Sequence, residues 1–275
     1  MPNFCKVALF FLFLPFISLS QTPIIGQLID EATQNPLPYV NIGLIDENIG
    51  TVSDRQGYFE LLLNPAQHKN ATLQFSMLGY ETQTFDLEEF LELDHFLIAL
   101  KEKPTELDEV IIETQARKFE SKILGNKTTS KALYAAFTTN KLGNEMGFIV
   151  RQRKHPMILK KFNLSLVKNS YGPIRFRLNF YSVENGLPAA PLLNENIIIE
   201  TAIESGLITK DLSPYALVID QDFFIAIEWI EEMGPGDLFF SGGFFGAPLI
   251  AREVSQGKWS KVSAASVGMT VEVRY

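Results

Sequence analysis

The sequence predicts an all-β chain: a seven-strand β-sandwich in the first hundred residues, followed by a C-terminal jelly-roll-like β-sandwich. Three observations support this. Between residues 24 and 100, short apolar runs alternate with turn residues, and each turn has its own local chemistry. In the C-terminal half, Ile174, Phe176, Leu178 and Phe180 alternate with Arg175, Arg177, Asn179 and Tyr181. That period of two gives a strand one apolar and one polar face. Hydrophobic residues make up 46% of the chain, enough for packed cores and too much for a disordered one.

Residues 1–20 read as a signal peptide. Lys6 supplies a positive start, residues 7–19 an apolar core, and Ser18 and Ser20 small side chains ahead of a cut before Gln21. The apolar stretch is shorter than the ~20 residues of a membrane-spanning helix, and Pro15 weakens it further. No later segment is long and apolar enough to span, so no transmembrane span is expected after cleavage. Cys5 is the only cysteine and leaves with the signal. The mature chain is therefore expected to fold on core burial without disulfides, which suits a bacterial envelope protein. Its expected place is the periplasm, the outer-membrane surface or the medium. With 24 basic against 32 acidic residues and no concentrated basic face, nucleic acid is excluded as a partner.

The first domain, residues 22–104, is read turn by turn. Ile24, Ile25, Leu28 and Ile29 make a first strand, closed by the polar run 30–35. Pro36 and Pro38 bracket Leu37 and keep the chain extended into a second strand, 39–45, where Val40, Ile42 and Leu44 alternate with Tyr39, Asn41 and Gly43. Residues 46–50 turn into 51–53, and Asp54-Arg55-Gln56-Gly57 is a tight turn with Asp first and Gly last. Strands follow at 58–63, 71–77, 82–87 and 95–100, with a bend at Leu78-Gly79-Tyr80. Seven short strands at this spacing predict a sandwich.

The ordered motifs of this stretch resemble a known family. Gly26 to Asp30, the run PLPYVNI at 36–42, GTVSDRQGYF at 50–59 and FSMLGYE at 75–81 are together similar to the carboxypeptidase regulatory-like domain of Bacteroidota envelope proteins. The resemblance implies a prealbumin-like β-sandwich with no peptidase activity of its own; the name comes from metallocarboxypeptidases that such domains accompany. It is also similar to the N-terminal extension of TonB-dependent outer-membrane transporters, in which a segment like ELDEVIIE, 106–113, follows the domain. There Leu107, Val110, Ile111 and Ile112 would dock on an energy-coupling partner as an added strand. No plug or barrel follows here, and a linker strand resting on its own domain is the favoured reading. Residues 105–130 are read as this strand plus a short helix over 115–124, from the spacing of Phe119, Ile123 and Leu124.

The second domain, residues 131–275, reads as strands again. Phe223, Ile225, Ile227 and Trp229 alternate as the 174–181 run does, and so do Met269, Val271, Val273 and Tyr275. Further strands are expected at 197–200, 215–220 and within 236–251, and Gly-, Pro- and Asn-rich turns point to a jelly roll. The run 176–193 is similar to strand–turn–Pro segments of bacterial surface and carbohydrate-binding modules.

Few residues suggest chemistry. His68, His95 and His155 show no paired metal-ligand spacing, and no G-x-S-x-G elbow surrounds a serine. Asp220 and Asp222, with Asp211 before them, offer oxygen ligands for a structural Ca²⁺; a solvated turn is favoured. Phe239-Phe240-Ser241-Gly242-Gly243-Phe244-Phe245-Gly246 reads either as a hairpin turning on Gly-Gly, with one Phe of each pair in the core, or as an exposed aromatic loop. The hairpin is favoured. Trp229 falls on an inward face, whereas Trp259, between Lys258 and Ser260, is the exposed candidate for stacking on a ligand. Arg151, Arg153, Lys154, Lys160 and Lys161 cluster as a solvated basic face.

The expected function is that of a non-catalytic, cofactor-free exported protein that binds a glycan or another envelope protein, with Trp259, Phe244 and Phe245 as contact residues. An accessory subunit of a TonB-dependent uptake or secretion system, docking through 106–113, is the alternative. Peptidase association is suggested by the family's name alone.

Overall fold

The first domain forms its seven strands where the alternation predicts them. The computed structural model describes residues 22–103, 120–137, 139–151, 156–262 and 264–275. Residues 1–20, expected to be a signal peptide, and the 106–113 segment, with Leu107, Val110, Ile111 and Ile112, lie outside the described residues, as does His155. The strands are β1 (Thr22–Asp30), β2 (Asn41–Leu44), β3 (Gly50–Val52), β4 (Tyr58–Leu63), β5 (Thr72–Ser76), β6 (Gln83–Asp86) and β7 (Leu97–Leu100). They form two sheets, ordered β4-β1-β7 and β3-β2-β5-β6. Ile24, Leu28, Phe59 and Leu61 of one sheet pack on Ile42, Leu44, Leu73 and Phe75 of the other. In β4 the alternation is complete: Phe59, Leu61 and Leu63 are buried and Tyr58, Glu60 and Leu62 are exposed.

The turn at 54–57 is held by one side chain. Asp54 Oδ1 accepts the N–H groups of Gln56 and Tyr58 at 2.8 and 2.9 Å. Gly57 sits at φ +77°, where a Cβ would lie 2.4 Å from the Leu28 carbonyl oxygen, so only glycine fits. One short helix, α1 (Leu87–Leu91), stands where the pattern predicts the end of a strand. Asp86 caps it by accepting from the Glu88 N–H, and Leu87 and Phe90 drop into the core.

The second domain is a larger sandwich. Its strands are β8 (Ser121–Gly125), β9 (Tyr134–Ala135), β10 (Glu145–Val150), β11 (Met157–Asn169), β12 (Ile174–Glu184), β13 (Leu187–Pro191), β14 (Ile197–Thr201) and β15 (Gly206–Asp211). Then follow β16 (Val218–Ile219), β17 (Phe223–Trp229), β18 (Leu238–Gly243), β19 (Leu249–Arg252), β20 (Ser260–Val262), β21 (Ser266–Val267) and β22 (Met269–Arg274). One sheet runs β13-β12-β17-β10-β19-β20, with β14 also on β12; the other runs β21-β18-β11-β22-β8, with β15 and β16 on β11 and β9 on β18. The chain passes back and forth between the two sheets, as in a jelly roll. Phe148, Phe176, Phe180, Ile225 and Ile227 from the first sheet meet Phe162, Leu164, Phe240, Met269 and Val271 from the second.

Two expectations are corrected. Residues 121–125, expected to lie in a helix or connector, are the edge strand β8, paired with β22. Its side chains, Ser121, Lys122 and Ile123, are exposed at a sheet edge, and Leu124 leans on the core. The expected hairpin at 239–246 is absent. β18 pairs with β11, β9 and β21, whereas β19 pairs with β10 and β20, so the chain crosses between sheets here. Gly242 lies inside β18, where a Cβ would come 2.8 Å from the Tyr134 backbone; the positive φ belongs to Gly246.

β22 lies between β11 and β8 and supplies Met269, Val271 and Val273 to the core. A chain ending at Gly268 is expected to lose the cooperative melting of the second domain while the first domain keeps its own. Far-UV circular dichroism with thermal denaturation of full-length and truncated chains checks this.

Candidate functional site

The polar face of the β12 sheet carries a row of charges that alternation alone assigns to solvent. Cross-strand partners run Arg177 opposite Glu228, Glu228 opposite Glu145, and Glu145 opposite Arg252, across β12, β17, β10 and β19. All four side chains are buried. Arg177 Nε donates to Glu228 Oε2 at 2.8 Å, and Arg252 Nε to Glu145 Oε2 at 2.9 Å. The Asn179 amide bridges the two carboxylates, donating to Glu145 Oε1 at 2.8 Å and Glu228 Oε2 at 2.6 Å. Formal charges cancel along the row, the condition under which buried charges are tolerable. Glu228 Oε1 has no hydrogen-bond partner among the described residues.

The first domain closes this face. Arg177 Nη1 donates to the Tyr39 carbonyl oxygen at 2.6 Å, and its Nη2 donates to Asn41 Oδ1. Ser255 Oγ reaches the same Asn41 oxygen at 3.2 Å. Tyr39 sits at φ +61°, an uncommon conformation for a bulky residue. Its phenol donates to Glu231 at 2.7 Å, and burial together with that carboxylate pushes the phenol up to about 12. Arg55 and Arg175 converge on the same carboxylate at 2.8 and 3.0 Å. Neither Glu145 nor Glu228 reaches the surface, so the row joins domains and presents no group to a ligand.

A second feature lies on the outer surface. After β18 the chain presents Phe244 at 63% exposure and Phe245 at 90%. The loop is fixed at its base: Ser266 Oγ lies 3.0 Å from the Gly243 and 3.1 Å from the Phe245 carbonyl oxygen, and Asn126 donates to Ser266 Oγ at 2.6 Å. Phe244 borders a hollow of about 380 Å³ lined also by Leu133, Tyr134, Phe137, Met146 and Leu249. Tyr134 itself is 59% exposed and lies against the Phe239 ring, centroids 4.5 Å apart.

Comparison with known proteins bears on the first domain. Residues 24–112 match the CarboxypepD_reg-like domain family. The first sandwich is a carboxypeptidase regulatory-like domain. The match ends beyond β7 and takes in the 106–112 stretch. No curated protein matches the chain. Among solved structures, it is similar to the major pilin subunit of Bacillus cereus, in a crystal structure of its BcpA*(D312A) form. The identity is 12%, over 90% of this chain and 69% of that one, with a TM-score of 0.20. That score is too low for the likeness to bear on this chain's fold or role.

The regulatory-like domain therefore acts as the cover of the second domain's charged row, which sequence reasoning missed. Of the residues expected to bind, Phe244 and Phe245 are exposed together, although by way of a crossover and not a hairpin. Trp259 is not a free platform. Its ring lies 4.6 Å from the Arg252 guanidinium, 5.1 Å from Phe224 and 5.8 Å from Tyr181, so it is already engaged. Trp229 is in the core, as expected. Asp211 accepts from the Ser213 N–H at 2.9 Å, Asp222 faces Arg151 at 3.9 Å, and Asp220 is exposed. No group of three His, Cys, Asp or Glu side chains that could hold a metal converges among the described residues. Of the basic cluster, Lys161 lies opposite Asp211 and Glu272 on neighbouring strands; Arg153 and Lys154 lie outside the described residues.

Two outcomes follow from the row. Burial, opposed by Arg252 and reinforced by Glu228, raises Glu145 from 4.5 to about 7. Its contribution to stability is complete below about pH 4.5 and lost as pH rises to about 7, because the native state holds the extra proton. Urea unfolding is expected to give a higher midpoint at pH 5 than at pH 8, and Glu145→Gln should flatten the difference. Arg177→Met strands Glu228 as an unpaired buried charge and should cost about 3–5 kcal/mol; adding Glu228→Gln should recover much of it in the same measurement.

Proposed function

We propose that this chain is a non-catalytic, exported envelope protein that holds another protein through the aromatic loop of its second domain. One observation carries the reading. Phe244 and Phe245 project from a loop pinned at its base, beside an apolar hollow rimmed by the exposed Tyr134. Large exposed aromatics grouped in this way mark contact surfaces more often than isolated ones do.

The regulatory-like domain supports a non-catalytic role, and the buried Glu145 and Glu228 are each tied to a guanidinium group. The pattern of residues 1–20 supports export. Among the described residues no helix is long and apolar enough to cross a membrane. Protein is preferred to glycan as the partner because the hollow is lined by Leu, Met, Val and Phe side chains, with few groups to read sugar hydroxyls.

The test is in-cell crosslinking with mass spectrometry on the native chain and on Phe244→Ala/Phe245→Ala. The double variant should melt at the native temperature, since both side chains are exposed, and should lose its crosslinked protein partner. A partner retained by the variant sinks the reading. Loss of glycan-array binding in place of a protein partner would make the ligand a sugar.

A further inference from the structure

We propose that the edge of β4, where it faces the cleft between the two domains, is a strand-addition site for an extended, basic segment of another protein. The cleft measures about 930 Å³. One wall is formed by β3 and β4, each the terminal strand of its sheet, and the other by residues 140–142 and 230–232 of the second domain. It shares no lining residue with the hollow beside Phe244 and stands independently of the role proposed for that loop.

The register shows which peptide groups are open. β4 pairs antiparallel with β1, and the Leu28 N–H donates to the Gly57 carbonyl at 2.8 Å. Gly57, Phe59, Leu61 and Leu63 therefore turn their backbone groups toward β1, and Tyr58, Glu60 and Leu62 turn theirs outward. Tyr58 is already served by Asp54, which accepts from its N–H at 2.9 Å and donates to its carbonyl at 2.8 Å. The outward N–H and C=O groups of Glu60 and Leu62 have no partner among the described residues. Such an edge is a template for one more strand.

Side chains define what would pair there. Ile25, Tyr58 and Leu62, 61%, 53% and 50% exposed, form an apolar platform on the outer face of the same sheet. Alternate apolar residues of an added strand would continue that platform. Four carboxylates line the cleft, Asp54, Glu60, Glu231 and Glu232, against Arg55 and Lys141. Glu231 already holds Arg55, which leaves Glu60 and Glu232 exposed and the cleft negative. A segment alternating apolar with Lys or Arg residues is the complement. The chain's own 106–113 stretch carries Glu106, Asp108, Glu109 and Glu113 and does not offer that pattern.

A random-sequence peptide display library selected on the full-length protein tests this. Peptides alternating apolar with basic residues are expected to be enriched. Leu62→Pro removes an outward N–H that β1 does not use, a substitution that edge strands tolerate, and should weaken binding by about tenfold or more. Glu60→Lys should weaken it through charge alone, and Phe245→Ala should leave it unchanged. Hydrogen exchange should show the Glu60 and Leu62 amides open in the free protein and slowed by peptide. Enrichment insensitive to Leu62→Pro, or no basic alternating peptides at all, overturns the proposal. So do amides already protected in the free chain, which would mean that the chain covers its own edge. A dimer in sedimentation that Leu62→Pro dissolves would make the occupant a second copy and overturn it equally.

Discussion

Arg177 must be neutralised inside the protein, and the relation between the two domains follows from how this is done. Its guanidinium is 2% exposed and finds one carboxylate, Glu228, within its own sheet. Its Nη groups also reach out of the second domain, to the Tyr39 carbonyl and the Asn41 amide oxygen of the first, while Asn196 Oδ1 of the second domain accepts from Nη1 at 3.3 Å. Without the regulatory-like domain the Arg177 end of this face would be wetted, while Tyr181 and Trp259 still cover the Glu145–Arg252 end. With it in place, every donor on the row needs a partner at a fixed position. Buried ion pairs add little net stability over apolar packing of the same shape. The row is better understood as selecting one docking arrangement among many, since any other would take the Tyr39 and Asn41 acceptors away from Arg177.

Backbone features on the first domain agree with that arrangement. A Cβ at Gly50 would stand 2.2 Å from the Ser255 carbonyl oxygen, and one at Gly43 2.5 Å from it. The two glycines are cross-strand partners in the β2–β3 pair, so that ribbon lies almost in backbone contact with the second domain. Gln256 completes the seam, donating to Ser76 Oγ at 2.8 Å while its side-chain oxygen accepts from Gln74 at 2.9 Å. The left-handed backbone of Tyr39 fits the same logic. It aims the carbonyl at Arg177 and the phenol at Glu231, and the contacts at both ends hold a conformation that a tyrosine seldom adopts alone.

The first domain was legible because its strands stayed close to alternation, complete in β4, and each turn carried its own Gly, Asp or Pro. The longest strand of the second domain, β11, was not. Its register against β22 shifts between Leu159 and Lys161, so the buried positions change phase, from Met157 and Leu159 to Phe162, Leu164 and Leu166. A bulge of this kind defeats a search for period two. The charged row was hidden for another reason. Alternation assigns Arg177 and Asn179 to a face but cannot say what covers it, and the cover lies more than a hundred residues away in sequence. Trp259 fails similarly: its flanking Lys and Ser suggest exposure, yet the Arg252 cation beneath gives the ring a partner. The Phe-rich run misled through Gly242 and Gly243, which are small for close strand packing and not for a turn.

Glu231 links the joint to the open cleft. It lines the cleft wall, yet it also receives the Tyr39 hydroxyl, Arg55 and Arg175. Its carboxylate is thus held by groups from both domains, and the wall it forms is part of the same hydrogen-bonded seam as Arg177. A segment laid against β4 would meet a wall already in position, with little further ordering to oppose binding. The same seam makes the wall depend on the domains staying docked. Loosening the joint would free Glu231 from Tyr39 and Arg55 together and leave it on Arg175 alone as the cleft widens. Docking geometry and cleft chemistry are therefore set by one group of side chains, and neither can change without the other.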